Sequence, residues 1–245
     1  MLMLKKIVKK MLRYLKFPLV ALDFFRFKDL SVKAGRRRPL LRDVYPCPLD
    51  RTVKTGFDRH YVYHTSWAAR ILADVKPDKH VDVSSSLYFV GIISAFLPVE
   101  HYDYRPADLE LDGLICREGD LNNLPQADNS VTSLSCMHVI EHVGLGRYGD
   151  VLDPDGDASA AAELTRVLAP GGSLLVVLPV GRSGVHFNAH RVYSLEAALE
   201  LFPGLKLQEF SLLPESAGGF IKNADSQRVA KESYGCGCFW FTKEV

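Results

Sequence analysis

No apolar run of about 18 uninterrupted residues occurs in the 245-residue chain, so the sequence predicts no membrane-spanning helix. Charge of one sign is lacking too. The formal net charge is +1, which removes the bulk electrostatic case for a nucleic-acid partner. Cysteine is sparse and odd in number: Cys47, Cys116, Cys136, Cys236 and Cys238 are scattered, and no secretory leader is evident. They read as reduced thiols of a cytoplasmic protein rather than a disulfide framework. Internal repeats and low-complexity tracts are also missing. What the chain does have is 47% hydrophobic residues, enough for a substantial core.

Charge balance fails at the N-terminus. The stretch "MLMLKKIVKKMLRYLKFPLVAL" carries Lys5, Lys6, Lys9, Lys10, Arg13 and Lys16, with no acid before Asp23. Leu4, Ile7, Val8, Met11, Leu12 and Leu15 recur at helical spacing and share one face, with the lysines on the other. Such a helix suits peripheral contact of residues 1–22 with the anionic inner face of a membrane. The alternative is that its apolar stripe docks on protein. Residues 31–57, rich in proline and arginine without a sustained period, read as a linker. The chain therefore divides into an N-terminal helical extension with linker, 1–57, and a main domain, 58–245.

In the main domain, helical and strand patterns alternate. "HTSWAARILADV" reads as a helix with Thr65 or Ser66 as its cap and Trp67, Ile71 and Leu72 facing a core; Pro77 ends it. "HVDVS", "VEHYDYR", "LICREGD", "VTSLSCMHV" and "SLLVVLPV" read as strands. "LYFVGIISAFL" reads as a buried helix, "DASAAAELTRVLA" as an alanine-rich one, and "SLEAALELF" as one capped by Ser194. "LKLQEFSLL" and "CFWFTKE" alternate as edge strands would. This order predicts an α/β fold: a doubly wound, mostly parallel sheet with an antiparallel edge.

Ligands of such sheets lie beyond the carboxyl ends of the strands. Every predicted strand end here carries polar groups in a turn. Asp103 follows the first turn by about 20 residues, where an acid can accept both hydroxyls of a ribose; a turn aspartate capping Arg105 is the alternative. Asp120 can accept an adenine amine, or serve an Asx turn or helix cap.

The segments "REGDLNNLPQADNSVTSLSCMHVIEHVG", "AAELTRVLAPGGSLLVVLPVG" and "NAHRVYSLEAAL" resemble class I S-adenosylmethionine-dependent methyltransferases, over roughly residues 61–213. The resemblance is greatest to the branch that methylates small molecules and sugars. More narrowly, "YHTSWAARIL", "HVDVSSSLYFVG", "GLGRYGDVLDPDGD" and "YGCGCFWF" resemble a methyltransferase-like family of bacterial surface-polysaccharide gene clusters. The resemblance implies a Rossmann-like methyltransferase sheet, S-adenosylmethionine as cofactor, and a small-molecule or glycan acceptor.

One departure stands out. In the superfamily's first motif an acid precedes alternating glycines. Here Asp82 is the acid, and Ser84, Ser86 and Tyr88 replace the glycines, with Ser85 between. Glycine permits positive φ and close cofactor approach; serine reaches that conformation at a cost of about 1 kcal/mol and offers a hydroxyl. The cofactor-side residues implied are Asp82, Ser84, Ser85, Ser86, Asp103, Tyr104, Asp120, Leu121, Met137 and His138. The resemblance places His138 and His142 beside the sulfonium and acceptor, and His190, in "FNAHRVYS", along the acceptor pocket. A hydroxyl acceptor needs a base of near-neutral pKa, so His190 is the first candidate base and His142 the second. Each could instead be a hydrogen-bonded structural histidine. Asn188 and Arg191 join the acceptor side, with Arg147 and Tyr148 as a rim for a polyol.

The acids Asp150, Asp153, Asp155 and Asp157 lack the register of a calcium loop and suit a sugar-binding rim or a capped loop. The "CGC" thiols would need other ligands to hold zinc, so edge-strand packing is expected there and no metal site. The expected activity is O-methylation of a sugar or glycan precursor. A non-catalytic binding or assembly module that has lost its cofactor is the alternative.

Overall fold

The computed structural model describes residues 2–245; for residues 2–10 and 12–14 it describes the backbone only. The chain forms two compact units, Met1–Phe57 and Asp58–Val245.

In the first unit, α1 spans Leu2–Lys33. The sequence places a linker from residue 31, but the helix persists past that point because no breaker intervenes before Gly35. Gly35 takes φ +63, and Arg36 N–H donates to the Ser31 carbonyl (2.8 Å), a Schellman-type stop. Met11, Leu15, Leu19 and Leu22 are exposed along one stripe. The side chains of Leu4, Ile7, Val8 and Leu12, which the amphipathic reading also uses, lie outside the described residues. Among the described residues no helix is long and apolar enough to cross a membrane.

The second unit begins with α2 (Arg59–Val75). Its cap is Asp58, whose carboxylate accepts the Tyr61 amide; Thr65 and Ser66, the expected caps, are interior and donate back to the Tyr61 and Val62 carbonyls. Lys76, left-handed at φ 51, ends the helix before Pro77. Strands β1 (His80–Val83), β2 (Val99–Asp103), β3 (Leu114–Glu118), β4 (Val131–Met137) and β5 (Leu168–Val180) follow. A short hairpin, β6 (Gly184–His186) and β7 (His190–Val192), leads to β8 (Leu205–Leu213), β9 (Ile221–Lys222) and β10 (Gly235–Lys243). The hairpin escaped the sequence reading because its strands are only three residues long.

The main sheet has the order β3-β2-β1-β4-β5-β10-β8-β9. β1 to β5 run parallel, whereas β10 pairs antiparallel with both β5 and β8. This is the doubly wound, Rossmann-like methyltransferase sheet with an antiparallel edge. Chain order reverses between β1 and β4, which opens the crevice where such folds place ligands.

Alternation along β5 feeds two cores. Leu174, Val176, Leu178 and Val180 pack on the face of α4 (Gly156–Val167) and α5 (Leu195–Glu200), and Leu175 and Val177 pack toward α2 and α3 (Leu87–Ile93). Helix α3 is shorter than "LYFVGIISAFL" suggests and buries one face only. Phe89, Val90 and Ile93 are buried, while Leu87, Tyr88, Ile92 and Phe96 face outward. A short α6 (Ser226–Val229), capped by Asp225, precedes β10.

Candidate functional site

A cavity of about 430 Å³ lies at the carboxyl ends of the first four strands. It is lined by Ser84 after β1, Asp103, Tyr104 and Arg105 after β2, and Gly119, Asp120, Leu121 and Asn122 after β3. His138, Val139 and His142 after β4 complete that wall, and the loop from Val143 to Gly156 forms the rim.

The turn after β1 is held from beneath. Asp82 is fully buried and does not reach the cavity. Its Oδ2 accepts the Ser85 amide (3.1 Å) and His101 Nδ1 (2.8 Å), and its Oδ1 accepts the Ser135 hydroxyl. Register explains the cluster, because His101 on β2 and Ser135 on β4 are the lateral neighbours of Asp82. Burial alone would raise the Asp82 carboxyl, but the His101 and Ser135 bonds hold it below its usual range. For His101, burial pulls downward and the Asp82 bond and charge more than reverse it, so its pKa is raised. Asp82 is thus an organiser of the turn rather than a ligand contact.

The three serines divide their work. Ser84 takes φ +54, the conformation glycine would supply, and its amide donates to the Tyr102 carbonyl (2.8 Å). Ser85 is buried, and its hydroxyl accepts the Met137 amide (3.0 Å), tying the turn to the end of β4. Ser86 sits at the cap position of α3. Only Ser84 lines the cavity. Met137 turns its side chain into the core on the α2 side, so its backbone alone meets the turn.

Asp103 and Asp120 each spend one oxygen on an Asx turn. Asp103 Oδ1 accepts the Arg105 amide (2.8 Å) and Asp120 Oδ1 accepts the Asn122 amide (2.9 Å). The second oxygen of each makes no hydrogen bond among the described residues. The turn role weighed from the sequence is therefore present in both acids, and each also lines the cavity with an oxygen to spare.

The rim is an ordered loop. Asp150 accepts the amides of Gly144 (2.9 Å), Gly146 (3.1 Å) and Tyr148 (3.1 Å). Burial would raise its carboxyl, but these backbone bonds hold it low. Asp153 accepts the Asp155 amide (2.9 Å), so this is a capped loop. Tyr148 lies between the guanidinium groups of Arg105 (4.7 Å from the ring centre) and Arg147 (5.0 Å). Arg105 thereby joins the β2 end to the rim, a role the sequence reading missed. Arg147 is not among the cavity-lining residues; it donates to the Ala189 carbonyl (3.0 Å).

The acceptor-side residues fare unequally. Arg191 is buried and committed. It donates to the carbonyls of Val143 (2.6 Å), Pro154 (3.1 Å) and Asp153 (3.4 Å), with Nε 3.4 Å from Asp157. It clamps the rim loop to the start of α4 and cannot also face a substrate. Asn188 is exposed at the hairpin tip and does not line the cavity. His190 stands on β7 against Tyr234 (4.8 Å) and His186 (5.0 Å), outside the lining. His142 does line it. Its Nδ1 donates to the Ala189 carbonyl (2.6 Å), leaving Nε2 as the basic nitrogen. Burial outweighs the Glu141 charge and lowers its pKa. Of the two candidate bases, His142 lines the cavity and His190 does not. His138, at φ +59, places Nδ1 2.9 Å from Glu141 Oε1. Burial opposes its charge, but Cys236 and Glu141 raise its pKa to about 10.

Comparisons place this architecture among known proteins. The N-methyltransferase NodS from Bradyrhizobium japonicum, solved with S-adenosyl-L-homocysteine, is similar at TM-score 0.51 and 11% identity, over 74% of this chain and 86% of that one. The [4+2]-cyclase SpnF is similar at TM-score 0.51 and 13% identity, over 74% and 82%. YcgJ from Bacillus subtilis gives TM-score 0.50 and 12% identity, over 74% and 99%. At these identities the likeness shows the fold alone: the second unit has the fold of class I methyltransferases. The cyclase shows that such a fold alone does not fix the reaction. In sequence, residues 122–214 match a family described as Caenorhabditis protein of unknown function, DUF268. No curated protein matches the chain.

Proposed function

We propose that the chain is an S-adenosylmethionine-dependent methyltransferase that O-methylates a small polyol, sugar or glycan precursor. The observation that carries this reading is the cavity at the ends of β1 to β4, into which Asp103 and Asp120 each bring a spare carboxylate oxygen. Its volume of about 430 Å³ lies in the range of about 300–1,000 Å³ usual for small-molecule sites. The residues fit the cofactor: Asp103 suits the ribose hydroxyls, Asp120 the adenine amine, and Ser84 the methionine side, its positive φ replacing that of a glycine. When bound, the cofactor supplies an electrophilic methyl group. In this reading His142 Nε2 takes the proton of an acceptor hydroxyl; the Nδ1 bond to Ala189 and the ring's position in the cavity lining support the role. Tyr148, its ring covered by two guanidinium groups, offers a hydroxyl at the rim.

In this reading the protein works in the cytoplasm, and its N-terminal helix touches the inner membrane face. The exposed stripe of Met11, Leu15, Leu19 and Leu22, in a segment whose sequence is rich in lysine and has no acid before Asp23, supports that contact. A role in polysaccharide biosynthesis is part of the same proposal. The test is transfer of a labelled methyl group from S-adenosylmethionine to a panel of nucleotide sugars and free polyols. Label in an acceptor, abolished in His142→Ala, is expected. Cofactor binding without transfer to any member would favour the non-catalytic module.

A further inference from the structure

Behind the cavity wall, three elements bring a cysteine and three histidines together. His60 and His64 lie one turn apart on α2, His138 follows β4, and Cys236 lies on β10. One ligand atom each from His60, His138 and Cys236 falls within 4.8 Å of the others. The rings of His60 and His64 stand 5.3 Å and 5.1 Å from that of His138.

Two features of this cluster have no explanation within the protein. His138 Nε2 is buried with no hydrogen-bond partner, and so are both ring nitrogens of His64. A buried imidazole nitrogen without a partner costs about 1–3 kcal/mol, so three such atoms in one place call for a ligand. The other nitrogen of His138 is already bound to Glu141 Oε1 at 2.9 Å. That carboxylate–imidazole pair is the arrangement that orients a metal-ligating histidine and leaves its far nitrogen for the ion.

We infer that His60, His138 and Cys236 form a binding site for a zinc-like divalent ion, with His64 as the nearest group for the fourth position. One thiolate and two or three imidazoles are the ligand set zinc prefers. Bonds of about 2.0–2.3 Å in a tetrahedron separate ligand atoms by about 3.3–3.6 Å, so atoms within 4.8 Å need close in only by about 1 Å. The site adjoins the cavity because His138 belongs to both. It does not depend on the reaction proposed above.

The test is titration of chelator-treated full-length protein with Co²⁺, followed by displacement with Zn²⁺. One equivalent should produce a thiolate-to-cobalt charge-transfer band that zinc abolishes. Cys236→Ser should remove the band. His60→Gln, on a half-buried ligand, should weaken cobalt affinity at least 10-fold with unchanged circular dichroism. Cys47→Ser, at an exposed thiol, should change nothing. Absence of a saturable band in the wild type, or a band kept by Cys236→Ser or lost in Cys47→Ser, would overturn the site.

Discussion

Replacing Arg191 with methionine tests whether the rim of the cavity is fixed by a structural clamp. The guanidinium donates to three backbone carbonyls and lies 3.4 Å from the Asp157 carboxylate. Methionine fills similar volume but offers no donor. The variant therefore removes a donor from each of those carbonyls, of which Asp153 alone keeps another in the Gly156 amide (3.2 Å), and strips Asp157 of its cation, although the Tyr193 hydroxyl still bonds it (2.9 Å). Breaking one side of a buried ion pair costs about 3–5 kcal/mol, and water entering at the rim lowers that to about 3–4 kcal/mol. In a domain of this size each kcal/mol shifts Tm by about 2–4 °C, so a fall of roughly 6–16 °C is expected in a calorimetric scan. An arginine facing a substrate would act differently, changing KM at constant Tm. A Tm change under about 2 °C would refute the clamp.

Three further outcomes follow from the structure. Ser84→Gly should be more stable than Ser84→Ala by about 1 kcal/mol in urea unfolding. Both lose the hydroxyl, and only glycine adopts φ +54 freely; an alanine variant as stable as the glycine one would contradict the left-handed assignment. His80 is fully buried; burial lowers its pKa to about 4 despite the Asp82 charge, and its ring nitrogens meet the Ser133 and Ser135 hydroxyls. A base with a lowered folded-state pKa favours folding above about pH 6.5 and loses that contribution as pH falls toward 4. The wild type should therefore shed about 2–3 kcal/mol between pH 6.5 and 4.5, and His80→Gln distinctly less, by urea midpoints; equal slopes would contradict this. Finally, vesicles containing anionic lipid should float the full chain but not a chain lacking residues 1–22, and equal flotation would exclude the membrane contact.

Much of the sheet is legible in the sequence because burial on both faces leaves a direct mark. "SLLVVLPV" can hardly be anything but a central strand, whereas "CFWFTKE", whose alternation suggests an edge strand, lies inside the sheet between β5 and β8. Asp103 and Asp120 are legible for a similar reason: an acid directly after a strand falls at the ligand-binding end of the sheet. What depends on lateral register is not legible. That Asp82 meets His101 and Ser135 rather than a ligand follows from strand pairing, which spacing along the chain does not reveal. The same holds for Arg191, whose partners lie 34 to 48 residues away. The His-Cys cluster draws on three elements, and its one local signal is the spacing of His60 and His64 by four residues in a helix.

The central claim is that the cavity at the ends of β1 to β4 holds an adenosyl cofactor through Asp103. Isothermal titration of S-adenosylhomocysteine into the wild type and into Asp103→Ala tests it most directly. The account predicts one saturable site in the wild type and affinity weakened by roughly 10- to 100-fold in the variant, the worth of hydrogen bonds to a charged group. No binding to the wild type at millimolar ligand, or equal affinity in the two proteins, would contradict it.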